Sequence, residues 1–192
     1  MVLAAGASRR LPGPKQLLRY RGATLLRHAA QTAVAAGCGP VVVVLGAADL
    51  AKQLRFELVD LDVRIVENHR WQEGMSTSIL AGLDALEQAR VTDAVLVMTC
   101  DQPHVTARLL KQMVAAYHRE RSPAVACAYA GTVGVPALFD RALFPELQAL
   151  QADQGAKGIL ERHRQTVARI PFEQGAVDID TPEDVLHLSG GH

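Results

Sequence analysis

The segment Leu3–Lys15, LAAGASRRLPGPK, sets two glycines, two prolines and several small residues beside Arg9, Arg10 and Lys15. Gly6 and Gly13 permit backbone angles and close approaches that a side chain would block. A loop that exposes backbone N–H groups next to guanidinium and ammonium groups suits a polyphosphate. The same residues also fit a solvated turn with a basic surface, and a short glycine-rich basic loop does not decide between the two. It lacks the Gly-Lys-Ser/Thr of a Walker loop, and its glycine spacing is wrong for the dinucleotide fingerprint.

Three further segments carry candidate chemistry. In CDQP, Cys100–Pro103, Asp101 stands in a proline-fixed turn after an apolar run. A carboxylate there can hold Mg²⁺, which takes one or two carboxylates plus phosphate oxygens and water, or it can simply close an Asx-turn or cap a helix. Gly74-Met75-Ser76 opens a helical pattern whose first N–H groups are free for a ligand; Ser76 or Ser78 can equally serve as its cap. In DIDTPED, Asp178–Asp184, Thr181 and Pro182 read as a helix start with Glu183 and Asp184 in its first turn. Asp178 and Asp180, two apart, point the same way along an extended chain. Cys100 reads as a small buried residue, Trp71 as core packing, and His69 and His104 as incidental loop residues. Lys157 is either a phosphate contact or a solvated helix lysine. No HExxH, zinc-spaced Cys/His pair or Gly-x-Ser-x-Gly elbow occurs, so neither a zinc site nor a hydrolase triad has an anchor.

The elements that must position these residues alternate in type. Runs at Met1–Ala5, Val41–Leu45, Val63–Val66, Ala94–Met98 and Ala124–Tyr129 read as strands, and the β-branched run Val41–Leu45, which has no polar alternation, reads as buried on both faces, as in a parallel sheet. Helical periodicity covers Thr24–Ala36, Ala47–Leu54, Ser76–Ala89 and Ala107–Arg119. Beyond, Gly131, Gly134 and Pro136 break the pattern. Helices follow at Arg141–Leu150 and Lys157–Arg162, then a strand, at an edge, at Thr166–Pro171 and a closing helix at Pro182–Leu188. The alternation predicts an α/β fold with a mostly parallel sheet and helices on both faces. Ligands in such sheets sit beyond the C-terminal strand ends, which makes the loops after Ala5, Val66, Met98 and Tyr129 the places for chemistry.

With 192 residues the chain suits one domain, and at this length it can bury on the order of 70% of its unfolded surface without staples. Lys+Arg and Asp+Glu are both 20, which argues against a basic nucleic-acid binder or a polybasic membrane segment. Aromatics at 4% are too few for a base-stacking platform. The apolar runs are too short to span a bilayer, and the first one stops at Gly6 without a basic leader, so no signal peptide is expected. Cys38, Cys100 and Cys127 form no CxxC, and a reducing cytoplasm is the expected location.

LAAGASRRLPGPKQLL resembles the signature of the nucleotidyltransferase family written LAAGxSxRxGxxK, and most closely its molybdenum cofactor cytidylyltransferases and their relatives. CDQP and DIDTPED resemble that family's metal turn and C-terminal acidic element, so the likeness runs from Val2 to about Asp184. Where the family has glycine two residues after the arginine, this chain has Pro12, with Gly13 next. The resemblance implies a Rossmann-like, nucleotide-diphospho-sugar-transferase-like fold over residues 1–192, with a nucleotide-binding N-terminal half and an acceptor-binding C-terminal half. It implies Arg10, Lys15 and Asp101 as catalytic residues. Nucleotide contacts would come from Leu3, Ala4, Ala5, Gly6, Ser8, Arg10, Lys15, Gly74, Ser78 and Asp101. Asp101 and Asp180 would hold Mg²⁺, and Gly134, Pro136 and Lys157 would meet the acceptor, although the family often has a polar residue where Val135 stands. The implied reaction moves CMP from CTP to the phosphate of a molybdopterin-type acceptor and releases pyrophosphate. The alternatives are a nucleotidyltransferase acting on a sugar- or polyol-phosphate, a molybdenum cofactor guanylyltransferase, or a non-catalytic nucleotide-binding chaperone that meets a molybdenum enzyme transiently.

Overall fold

Val42–Leu45 is buried along its whole length because its side chains enter two different cores in alternation. Val42 and Val44 face one layer of helices, and Val43 and Leu45 face the other. The same alternation places Leu3 on the first face and Val2 and Ala4 on the second. The computed structural model describes residues 1–6, 8, 11–46, 48–89, 91–152, 154–179, 181 and 183–184. Arg10, Asp180 and most of the closing helix expected over Pro182–Leu188 lie outside them.

In chain order the elements are β1 (Val2–Ala4), β2 (Arg19–Tyr20), β3 (Ala23–Thr24), α1 (Leu25–Ala36), β4 (Val42–Leu45), α2 (Ala48–Phe56), β5 (Arg64–Glu67), α3 (Met75–Ala89), β6 (Ala94–Thr99), α4 (Ala107–Glu120), β7 (Ala124–Tyr129), β8 (Thr132–Asp140), α5 (Phe144–Gln148), α6 (Lys157–Arg162) and β9 (Ala168–Pro171). The main sheet runs β5-β4-β1-β6-β8-β7-β9. The steps β5-β4, β4-β1, β1-β6 and β7-β9 are parallel; only those to either side of β8 are antiparallel. Helix α3, with α5 and α6, covers one face, and α1 and α4 cover the other. Thr24 caps α1 by accepting the Arg27 N–H at 3.2 Å, and Gly37, at φ 61°, ends it in the left-handed conformation that glycine adopts without strain.

The expected mostly parallel α/β sheet is therefore present, and β9 is at an edge as expected. The region around Gly131, Gly134 and Pro136 differs from expectation. It is not a break but the start of β8, nine residues long, which returns antiparallel between β6 and β7. The glycines and proline fit because the register against β7 shifts there: Ala126 faces Ala137 but Cys127 faces Gly134, so Val135 and Pro136 bulge out of the ladder. Arg141–Leu150 also differs, being a single 3₁₀ turn followed by the short α5. A small hairpin, β2–β3, turns through Arg21 and Gly22, both at positive φ as a two-residue hairpin turn requires.

Candidate functional site

Parallel strands end on one edge, so β1, β4, β5 and β6 deliver their following loops to the same side of the molecule. The register sets β1 directly against β6, with Leu3 opposite Thr99, and the Cys100 N–H donates to the Leu3 carbonyl at 3.2 Å. The loop after β1 and the CDQP turn after β6 are thus immediate neighbours. Lys15 and Asp101, 86 residues apart, form an ion pair between Nζ and Oδ2. Each side chain is only 15% exposed, so water screens the pair weakly. The other carboxylate oxygen, Asp101 Oδ1, is buried without a hydrogen-bond partner among the described residues. An ionised oxygen left in that state is costly unless something cationic takes it.

The loop after β1 is organised from beneath by Gln16, which is 1% exposed. Its Nε2 donates to the Ala4 carbonyl at 2.9 Å and the Gly6 carbonyl at 2.7 Å, and its Oε1 accepts from the Ser8 hydroxyl at 3.4 Å. Ser8 Oγ in turn accepts the Lys15 N–H at 2.8 Å. Leu3 is buried, so this residue can offer a nucleotide its main chain only, whereas Gly6 is exposed and Ala5 and Ser8 are partly so. Gly46, after β4, packs so close to this loop that a Cβ would come within 2.6 Å of the Ala5 carbonyl oxygen. A side chain there would push the loop out of place.

The CDQP turn is fixed on three sides. The Ile179 N–H donates to the Asp101 carbonyl at 3.1 Å, which brings the segment just before Asp180 against the turn. Gln102, 3% exposed, donates through Nε2 to the Val135 carbonyl at 3.2 Å and the Gly175 carbonyl at 3.0 Å. His28 Nε2 lies 3.0 Å from the Pro103 carbonyl, and both His28 and His104 pack edge-on against Tyr20. Burial lowers the pKa of both imidazoles. The expected acceptor residues Gly134 and Pro136 flank Val135, so they stand beside the turn. Gly134 is packed by Tyr129, whose hydroxyl would overlap any Cβ at that position and instead donates to the Val135 carbonyl at 3.1 Å.

The Gly74–Ser78 segment sits beyond β5, two strands from β1. Asn68, 5% exposed, holds it by donating to Thr77 Oγ1 at 2.8 Å and Ser78 Oγ at 2.9 Å. Ser78 is thus buried with its hydroxyl engaged, and Gly74, at φ 125°, makes the bend before α3. Lys157 is on an exposed face of α6 and pairs with Glu161, 4.0 Å away, not with the Asp101 turn. Among the expected site residues the structure therefore joins Lys15, Asp101, Ser8, the Ala4–Gly6 main chain and the Gly134–Pro136 bulge. The organising amides Gln16, Gln102 and Asn68 have no signature in the sequence beyond lying in or beside the motifs.

Among the described residues no three His, Cys, Asp or Glu side chains converge as a metal cage, and no helix is long and apolar enough to cross a membrane. A separate cleft of about 200 Å³ opens near Met1, Ala36, Leu96 and Tyr117 and contains none of the motif residues.

Residues 1–167 match the model of the MobA-like NTP transferase domain. The chain belongs to that family. It is 36% identical to a nicotine blue oxidoreductase from Paenarthrobacter nicotinovorans over 98% of this chain and 94% of that protein. Among solved structures it is similar to Rv0371c from Mycobacterium tuberculosis H37Rv, with 32% identity, a TM-score of 0.79 and coverage of 100% of this chain and 97% of that one. The manganese complex of Rv0371C aligns with a TM-score of 0.73 at 30% identity, over 97% of this chain and 94% of that one. Molybdopterin-guanine dinucleotide biosynthesis protein A from Archaeoglobus fulgidus, 18% identical with a TM-score of 0.65 over 97% of this chain and 94% of that one, shares the fold.

Cys100, next to Asp101 in this transferase domain, is not poised as a nucleophile. Burial, reinforced by the Asp101 charge, pushes its thiol up to about 12, and burial does the same to Cys127. Cys38 is exposed. At about pH 7.5 a thiol reagent should therefore modify one cysteine of the folded protein and all three after denaturation. Rapid labelling of Cys100 in the folded state would show that the turn opens.

Proposed function

We propose that this protein transfers a CMP group from CTP to the phosphate of a small, molybdopterin-type acceptor and releases pyrophosphate. The observation that carries this reading is the Lys15–Asp101 pair at the β1/β6 edge, with one Asp101 oxygen left over, in a chain of the NTP transferase family. A phosphate monoester is already anionic, so the attacking oxygen needs no strong base. The obstacles are repulsion between anions and the charge that grows on the leaving pyrophosphate, and both yield to positioning and electrostatics.

In this reading Lys15 exchanges Asp101 for the triphosphate when the nucleotide enters, and Arg10 adds a second cation. The Ala4–Gly6 main chain runs along the base, with the Gly74–Ser78 bend completing that pocket. The acceptor approaches from the Gly134–Pro136 bulge, with Lys157 as an outer contact. Asp101 Oδ1, buried and without a partner among the described residues, suits a hard cation, and Asp101 with Asp180 would hold Mg²⁺. When bound, such an ion neutralises phosphate oxygens and supports the leaving group.

A second reading has one observation in its favour, the 36% identical relative named an oxidoreductase. It would have the same cleft hold a redox substrate or cofactor. One experiment separates the two: a matrix of nucleoside triphosphates and phosphorylated acceptors with Mg²⁺, followed for pyrophosphate, run beside the same protein followed for oxidation of a reduced nicotinamide cofactor. Pyrophosphate release dependent on both donor and acceptor supports the transferase. Cofactor oxidation without pyrophosphate supports the other reading.

CTP is expected to be preferred over GTP. Both carry the same triphosphate, so Lys15 and Arg10 cannot tell them apart, and selection falls to the base pocket. Each polar group left unpaired on a wrong base costs about 1–3 kcal/mol, a factor from roughly five to somewhat over a hundred. Competition at equal concentration with the products resolved is the check; an equal or greater guanylylated yield overturns the preference.

A further inference from the structure

We infer that Gln16 is the positioning residue of the triphosphate loop, an inference that rests on the nucleotidyl-transfer reading. A loop that receives an anion has to turn its carbonyl oxygens away, because each one facing a phosphate repels it. Gln16 supplies the means: its amide nitrogen takes the Ala4 and Gly6 carbonyls at 2.9 and 2.7 Å from the buried side. Its oxygen closes on the Ser8 hydroxyl at 3.4 Å, and that hydroxyl also accepts the Lys15 N–H at 2.8 Å. Residues 4, 6, 8 and 15 are thereby tied to one side chain that is 1% exposed and unable to reach the ligand itself.

The second consequence concerns Lys15. Lys15 and Gln16 are consecutive in the 3₁₀ turn Lys15–Leu17, where successive side chains diverge by about a third of a turn. With Gln16 pinned under the loop, the Lys15 side chain leaves the turn in a different direction and meets Asp101. Gln16 therefore fixes both the Ala4 and Gly6 carbonyls on the buried side of the loop and the base of the cation that serves it. The closest apolar substitute, methionine, keeps the length but offers no donors to the two carbonyls.

The test is binding of Mg-CTP and of inorganic tripolyphosphate to the full chain, compared for wild type, Gln16→Met and Ser8→Ala. Gln16→Met is expected to weaken both ligands by tenfold or more, Mg-CTP at least as much as tripolyphosphate, since it releases the Ala4–Gly6 main chain beside the base together with the Ser8–Lys15 part beside the phosphates. Ser8→Ala, which removes a strut on the partly exposed side of the loop, is expected to weaken both by about threefold to tenfold. Mn²⁺ binding to the free protein, read by electron paramagnetic resonance, is expected to stay within about twofold in both variants, which general loosening of the site would not allow. Wild-type tripolyphosphate affinity in Gln16→Met overturns the inference, as does a loss confined to CTP or a parallel loss of Mn²⁺. Should Gln16→Met fail to fold, Ser8→Ala decides: unchanged affinity for both ligands overturns it. A wild-type protein that binds neither ligand refutes the transferase reading itself, a result distinct from variants that bind as wild type does.

Discussion

Lys15→Ala is expected to lower kcat by on the order of a hundredfold or more at saturating donor and acceptor, equivalent to about 2.7 kcal/mol of lost transition-state stabilisation. The Lys15 side chain is 15% exposed and directed at the C-terminal edge of β1 and β6 by the turn that follows the loop. A cation so placed is screened little by water, and its attraction to a leaving pyrophosphate grows as charge develops there. Asp101 is among its ground-state partners, and a nucleoside triphosphate brings several anionic oxygens that compete for the same ammonium. Lys15→Arg keeps the charge but spreads it over a planar fork, and is expected to recover only part of the rate. Steady-state kinetics with both substrates saturating separates lost chemistry from lost binding. A near-wild-type kcat in Lys15→Ala would remove the lysine from the transition state.

The part of the site at β1 and β6 is largely legible in the sequence, and the reason is local. β1, β4 and β6 are short apolar runs closed by Gly6, Gly46 and the CDQP turn, and a run buried on both faces announces a parallel strand wherever it occurs. Once those strands are parallel, their following loops share an edge, and the meeting of Lys15 with Asp101 follows from strand adjacency. What escapes is held together by distant partners. Gln102 bonds carbonyls 33 and 73 residues away, and nothing around it marks it as more than a turn residue. Gln16 and Asn68 escape for a related reason: a buried side-chain amide is recognisable only through the carbonyls or hydroxyls it satisfies.

The Gly131–Pro136 region is the converse case. Gly131, Gly134 and Pro136 read as punctuation because glycine and proline are depleted in strands. Here they mark a hairpin tip and a bulge within β8, and both features depend on a pairing with β7 and β6 that no short-range pattern encodes. Gly134 is required by the Tyr129 ring that packs on it, a contact across the hairpin. Ser78 shows the limit of a motif in another way. Its position in the Gly74–Ser78 segment matches a nucleotide contact, yet its hydroxyl is occupied by Asn68. That leaves half-buried Gly74 and exposed Met75 as the part of the segment that faces outward.

Asp101→Asn is expected to lower turnover by about a hundredfold to a thousandfold and to raise the Mg²⁺ or Mn²⁺ concentration for half-maximal activity by tenfold or more. The carboxylate has two duties on two oxygens: Oδ2 neutralises Lys15, and buried Oδ1 is without a partner among the described residues. An asparagine can present a carbonyl oxygen to only one of these places. If the oxygen stays on Lys15, the amide hydrogens point where a cation would sit; if it faces that place, they point at the ammonium. Either way the negative charge that attracts a hard cation is gone. The main chain is untouched by this change, because the Ile179 N–H donates to the Asp101 backbone carbonyl and Gln102 holds the turn independently. A loss of activity can therefore be assigned to the carboxylate once the variant's melting temperature is found within a few degrees of wild type. The wild type is expected to be silent in excess chelator and restored by added Mg²⁺. Undiminished activity in chelator, or an Asn variant with an unchanged Mg²⁺ response, would show that Asp101 serves Lys15 alone.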